Sequence, residues 1–317
     1  MGLLPENMNI LPPSDDRVFK LILTAPDAKP ALLDLITTLI GRKVVDVLVR
    51  NNEIPAEDTE EKAQRLDLNC VTEDCTQINI EMQAQRIIEE MDGRFQNVIG
   101  KSVYYLCDLH SSQSAKGVKR YDRLAHTYQV TFCNYTIFPG REEFVNSFSL
   151  RHDRDNGLLT DAVHEIFVEL SKLKEALKKP VDEMTELEKW SVFFRYAGES
   201  TYRSTVNEVI ASKEALQVAG NLLMSISQDE RERAIYRSRR MYETDLLSNL
   251  TTAEDRGRRE GERKGRREVA IRMLRRNRSI EIIEEDTGLP RSEIEKLQRE
   301  LQSGTASRDE TAGESDS

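Results

Sequence analysis

The sharpest alternation in the chain is TQINIEMQ at residues 76–83, where Ile78, Ile80 and Met82 take every second place. A period of two marks a strand with one buried face. Its other face carries Gln77, Asn79, Glu81 and Gln83. The segment RLDLNCV at 65–71 alternates in the same way, with Leu66, Leu68 and Cys70 opposed to Arg65, Asp67 and Asn69. The short polar turn TEDC joins the two, so they are expected to form a hairpin. Both apolar faces are even-numbered, so paired residue numbers must sum to an even value, because a slip of one residue would set apolar against polar. A sum of 148 sets Asp67 opposite Glu81, and a sum of 146 sets Asp67 opposite Asn79, one diagonal step from Glu81. Either register brings the two carboxylates within reach of one ion.

Around this hairpin the pattern changes period. Ser14 or Asp15 can cap a helix over DDRVFKLIL, and ALLDLITTLIG is a second helix that stops at Gly41. VVDVLVR (44–50) is rich in β-branched residues and is expected to be a strand, followed by an acidic loop at 51–62. A long helical stretch is expected over 84–112, and further strands at 128–138, 145–151 and 163–170. From 171 to about 250 the pattern is helical. There Trp190, Phe193 and Phe194 share the i, i+3, i+4 spacing of a core-facing stripe. Tyr104, Tyr105 and Tyr121 are expected to pack against helices rather than to stack on bases.

These elements divide the chain into a flexible lead (1–13), an α/β domain (14–215), a helical connector (216–251), a basic helix (252–278), a helix-turn-helix-like end (279–301) and a small, polar, disordered tail (302–317). The chain has 317 residues, 38% hydrophobic and 32% charged, and a net charge of −10. Passive binding of nucleic acid by the whole surface is thereby disfavoured. The charge is uneven, however: Arg256 to Arg278 hold eleven Lys or Arg against three Glu, a net +8 that can meet phosphates locally. The helix-turn-helix-like end carries seven acids against three bases, so packing or self-association through the C-terminal helices suits it better than reading DNA. No apolar run is long enough for a membrane span, and the N-terminus lacks the pattern of a signal peptide. Cys70, Cys75, Cys107 and Cys133 form no C-x-x-C pair and His110, His126, His152 and His164 are scattered, which suits reduced thiols in a cytoplasmic protein without a zinc site.

Asp67 and Glu81 are the chemically suggestive pair. Two carboxylates on neighbouring strands can seat a hard divalent cation such as Mg²⁺, with Mn²⁺ as a substitute. Such an ion can activate a water, polarise a phosphorus and shield a departing oxyanion. The bland alternative is that Asp67, Asn79, Glu81 and Gln83 form the wet outer face of an antiparallel sheet.

The order of helix, strand, strand with Asp, hairpin, strand with Glu-x-Gln and helix resembles the PD-(D/E)XK nuclease fold. More narrowly, the chain resembles the bacterial recombination-promoting nuclease and transposase family. The pieces that carry the resemblance are Asp16-Arg17-Val18-Phe19-Lys20, Arg65-Leu66-Asp67, Ile80-Glu81-Met82-Gln83, Tyr104-Tyr105, Tyr121 to Leu124, Glu186 to Phe194, the basic helix, and EEDTGLPRSEI. The resemblance implies a mixed sheet flanked by helices, Mg²⁺-dependent cutting of DNA, and a role in recombination or transposition. It makes Asp67 and Glu81 the metal carboxylates, Asp16 (or its neighbour Asp15) a supporting acid, and Gln83 the residue that orients the attacking water. Gln83 stands where the wider superfamily most often has Lys, and a neutral amide supplies no cationic stabilisation. A nuclease fold kept as a DNA-binding or assembly module is the non-enzymatic alternative, and a defence nuclease would share the chemistry.

Overall fold

The structure is a computed structural model and describes residues 4–50, 68–83, 95–115 and 120–304. It divides into two units, Met1–Arg239 and Arg240–Ser317. The first holds a six-stranded mixed sheet. In chain order the strands are β1 (Val47–Arg50), β2 (Leu68–Thr72), β3 (Gln77–Gln83), β4 (Thr127–Cys133), β5 (Val145–Arg151) and β6 (Leu158–Glu169), arranged β1-β2-β3-β4-β6-β5. The β1–β2, β2–β3 and β5–β6 pairs are antiparallel, whereas β3–β4 and β4–β6 are parallel. A helix, α3 (Phe95–Ala115), lies between β3 and β4 in the chain, as a parallel pair requires.

The even-numbered face of the central strands is the expected core. Ile78, Ile80 and Met82, Val130 and Phe132, and Ile166 and Val168 are buried together with α1 (Asp16–Thr24), α2 (Lys29–Ile40), α4 (Glu186–Tyr196), α5 (Arg203–Ala211) and α6 (Glu214–Gln228). Asp15 caps α1, accepting from the N–H groups of Arg17 and Val18 at 3.1 Å each. Gly41, at φ +70°, closes α2 in the left-handed conformation that glycine adopts without strain. Thr185 and Glu188 form a reciprocal capping box that starts α4. Within the core Phe194 meets Phe19 at 4.9 Å and Phe132 at 5.4 Å between ring centroids. The single Trp190 stacks on Phe194 and donates its indole N–H to Asp34 at 2.8 Å.

Several expectations need correction. Residues 4–13 are not a flexible lead: Leu4, Ile10 and Leu11 are buried in the main core. The Leu4 N–H donates to Asn207 at 2.7 Å and the Leu11 N–H to Ser227 at 3.0 Å. Gly198 is where this segment lies closest, since a Cβ there would stand 2.9 Å from Pro12 Cα. The first unit also runs past residue 215, because Leu216, Ala219 and Leu223 of α6 complete its core. The strand expected over 128–138 ends at Cys133, since the N–H groups of Ile137 and Phe138 turn to the Glu169 carboxylate at 2.6 and 3.0 Å. The odd-numbered face of β3 is not wet. Gln77, Asn79 and Glu81 are buried, because β3 lies inside the sheet and α3 covers its second face.

The second unit is helical. The helix α7 (Glu230–Arg275), whose first ten residues belong to the first unit, runs unbroken where a connector and a separate basic helix were expected, and α8 (Ile280–Thr287) and α9 (Arg291–Gln302) follow it. Ala270 of α7 packs with Ile283, Leu289, Ile294 and Leu297. The opposed charges of the two segments meet in part: Arg263 bonds Glu293 at 3.1 Å, and Arg267 lies 3.8 Å from Glu300. The acidic hairpin therefore packs on the basic helix, the role its charge suggested. Residues 305–317 of the expected disordered tail lie outside the described residues.

Candidate active site

The site is built where α3 crosses the odd-numbered face. Parallel pairing aligns Asn79, Gln129 and Glu165 in one row across β3, β4 and β6, and Glu81, Thr131 and Phe167 in the next. Both rows are buried. The β2–β3 pairing sets Leu68 opposite Ile80 and Cys70 opposite Ile78, which is the register whose paired numbers sum to 148. Asp67 itself lies outside the described residues.

Glu81 is only 6% exposed. Two side chains donate to the same oxygen, Oε1: the Gln83 amide, two residues along the strand, and the Lys101 ammonium, from α3. The Lys101 side chain is 37% exposed, so it reaches from the solvent edge of the helix onto a buried carboxylate. Its ammonium also lies 5.3 Å from the centroid of the Tyr105 ring. Next to it in sequence, Ser102 turns fully inward and donates to Glu165 Oε1 at 2.6 Å, with Thr131 Oγ1 at 3.0 Å. Burial pushes the Glu165 carboxyl up to about 8. The Ser102 hydrogen bond works against this shift, and the negative charge of Glu81 adds to it. One row on, Asn79 donates to Gln129 at 2.9 Å. That leaves two buried polar atoms, Gln129 Nε2 and Glu165 Oε2, without a partner on neighbouring strands. Burying unpaired polar atoms is costly, so such a layer is unusual in a purely structural core.

Asp16 is placed elsewhere. Its helix lies on the even-numbered face, where Phe19 packs on Phe132 at 5.9 Å between ring centroids. The Asp16 carboxylate takes the Arg17 N–H at 2.7 Å and the Arg239 guanidinium at 2.8 Å. Asp15, the alternative, is spent on the helix cap, and burial raises its carboxyl. The structure thus brings Glu81 and Gln83 together and adds Lys101, Ser102, Thr131 and Glu165, whereas Asp16 and Asp15 join Arg239. Tyr104 and Tyr121, expected to pack, are exposed.

The donor set decides which metal fits. Glu81 offers a carboxylate, Glu165 a carboxyl that burial holds neutral up to about pH 8, Gln83 an amide and Thr131 a hydroxyl; no imidazole or thiol is among them. Among the described residues no three His, Cys, Asp or Glu side chains gather as a ready-made cage. All-oxygen ligation by one or two carboxylates suits a hard cation that keeps several waters, as Mg²⁺ or Mn²⁺ does, and not zinc or copper. The residues present fit such an ion.

A family model described as PD-(D/E)XK nuclease family transposase matches residues 13–253. The chain belongs to that family. The six-stranded mixed sheet with flanking helices is the fold that membership implies. No curated protein and no solved structure matches the chain significantly. Among the described residues no helix is long and apolar enough to cross a membrane.

Sequence reasoning missed Lys101, Ser102 and Glu165. Glu165 did leave a signal, since VHEIFVEL places Glu165 and Glu169 on either side of Phe167 on one face of a buried strand. Glu169 resolves as structural, taking hydrogen bonds from Asn146 at 2.9 Å and Lys172 at 2.6 Å besides the two backbone N–H groups. Glu165 keeps one oxygen without a partner.

Proposed function

We propose that this chain is a metal-dependent endonuclease that hydrolyses DNA phosphodiester bonds and promotes recombination or transposition. The observation that carries the reading is Glu81: a buried carboxylate gripped by Gln83 and Lys101 inside a polar layer, in a member of a nuclease-family transposase group. A carboxylate withdrawn from water is expensive, and an apolar residue would serve a core better. Glu169 is a buried carboxylate with a structural role, so it is family membership together with the neighbouring polar layer that argues for chemistry at Glu81. We further propose that Asp67, which the sequence pattern sets on the same face as Glu81, completes the ligand pair.

In this reading Asp67 and Glu81 hold Mg²⁺ or Mn²⁺, which when bound polarises the scissile phosphate and lowers the cost of forming hydroxide. Gln83 orients the attacking water, for which its amide offers both donors and an acceptor. Glu165, neutral up to about pH 8, adds little negative charge beside Glu81 and so leaves it to act as the single carboxylate of β3 and β6 at the ion. Asp16 supports the site only at a distance, by tying α1 to Arg239.

A second reading, a nuclease fold that binds DNA without cutting it, is favoured by one observation: the Gln83 amide is spent on Glu81 and carries no charge. Incubation of the full chain with supercoiled plasmid and Mg²⁺ or Mn²⁺ separates the two. Nicking that disappears in Asp67→Ala and Glu81→Ala while DNA binding persists supports the enzyme. Absence of nicking by the wild type with either metal supports the binding module.

A further inference from the structure

Phosphodiester hydrolysis builds negative charge on the phosphoryl oxygens and on the departing oxygen, and a fixed positive charge beside them is worth far more in a covered site than in water. Position 83, which projects from β3 beside Glu81, holds a neutral glutamine. The positive charge at Glu81 comes instead from α3. We propose that Lys101 is the cationic side chain of this active site, resting on Glu81 in the free protein and turning to the scissile phosphate when metal and DNA are bound. This rests on the endonuclease reading above and deepens it.

Three features of the structure favour that role over a purely structural ion pair. First, Lys101 and Gln83 converge on a single oxygen, Glu81 Oε1, so the ammonium shares a carboxylate oxygen with the side chain at position 83. Second, the two partners differ in exposure: the Glu81 side chain is 8% exposed and that of Lys101 37%. The carboxylate is fixed within the sheet, whereas the lysine stem lies at the solvent edge and can swing without disturbing the core. Third, the neighbouring residue anchors the helix. Ser102 is buried and holds Thr131 and Glu165, so the α3 backbone is registered to the sheet at this point and delivers Lys101 to a defined place. Lys101 acts throughout as a charge; no proton leaves it.

Two consequences follow. Lys101 and the metal compete for Glu81, so removing the ammonium should raise metal affinity by at least about 5-fold, the value for one unit charge about 4 Å away when water screens it fully. Removing it should also slow cutting by about 100-fold, as loss of one donor to a developing oxyanion does.

The test uses the full chain and four variants: Lys101→Met, Lys101→Arg, Gln83→Lys combined with Lys101→Met, and Glu81→Gln. Plasmid nicking is measured with Mg²⁺ and Mn²⁺. Mn²⁺ binding without DNA is followed by electron paramagnetic resonance, and Trp190 emission confirms the fold of each variant. Lys101→Met is expected to nick about 100-fold more slowly, Lys101→Arg to stay within about 10-fold of wild type, and the double variant to recover at least about 10-fold over Lys101→Met. Lys101→Met is expected to bind Mn²⁺ more tightly, and Glu81→Gln more weakly, than wild type. Full nicking by Lys101→Met overturns the proposal, as does a folded double variant no faster than Lys101→Met, since a charge that can be moved to position 83 must act there. If the wild type does not nick at all, the endonuclease reading falls and the Mn²⁺ arm alone decides for Lys101: unchanged affinity in Lys101→Met overturns its competition for Glu81, and a rise upholds it.

Discussion

Replacing Glu165 with Gln should stabilise the protein, and increasingly so as the pH rises. Burial moves the Glu165 carboxyl from its ordinary 4.5 to about 8, helped by the charge of Glu81 and opposed by the Ser102 hydrogen bond. Below pH 4.5 the group is protonated both in the folded and in the unfolded chain, so it costs nothing. Between 4.5 and 8 the unfolded chain releases the proton and the folded chain keeps it, so stability falls with pH through this window. The slope is at most about 1.4 kcal/mol per pH unit, so between pH 5.5 and 7.5 the penalty grows by a few kcal/mol at most. Glutamine has the shape of the neutral acid and still accepts from Ser102, so Glu165→Gln removes the penalty while keeping the contact. The assay is urea unfolding in EDTA at pH 5.5, 6.5, 7.5 and 8.5, followed by the fluorescence of Trp190, the single tryptophan, which is buried in the core of the first unit. Wild type and variant should diverge by more than 1 kcal/mol across that range, the variant being the more stable. Parallel stability curves would refute the neutral, buried Glu165 described here.

Other expectations follow from single contacts. Glu169→Ala leaves the Ile137 and Phe138 N–H groups, Asn146 and Lys172 without their shared acceptor, and should cost about 3–5 kcal/mol by the same unfolding assay. Gly198→Ala forces a Cβ against Pro12 and should cost about 1–3 kcal/mol, with faster hydrogen exchange at the Leu4 and Leu11 amides; normal stability would mean that the N-terminal segment is not packed as described.

What the sequence made legible was set by short-range rules. The alternation in TQINIEMQ and RLDLNCV specified the β2–β3 hairpin, narrowed its register to two choices and paired Glu81 with its face, because a strand's period is fixed by its own backbone. Asp15, Gly41 and the Trp190 stripe were legible for the same reason. The remainder depends on partners far away in the chain. Whether the Glu81 face is wet or buried depends on α3, and the phase of that helix is weakly written: Lys101 and Ser102 are adjacent, yet one snorkels and the other turns inward. Leu4, Ile10 and Leu11 fell in an expected flexible lead, and only α5 and α6, some two hundred residues later, supply Asn207 and Ser227 to hold it. Asp16 matched a motif by spacing, but its carboxylate is captured by Arg239, which no local pattern announces. The long α7 escaped because a helix polar all round has no periodic stripe to mark where it begins.

The proposed role of Glu81 and Asp67 as the carboxylates of a metal-dependent nuclease can be tested in one assay. The direct measurement is the conversion of supercoiled plasmid to nicked and linear forms, with Mg²⁺ or Mn²⁺ and with EDTA, by wild type, Asp67→Ala and Glu81→Ala. Wild type is expected to nick in a metal-dependent way, with a loss of at least about 100-fold in each variant and DNA retained by all three proteins in a gel-shift assay. Equal nicking by wild type and Glu81→Ala, or none by the wild type with either metal, would contradict that role.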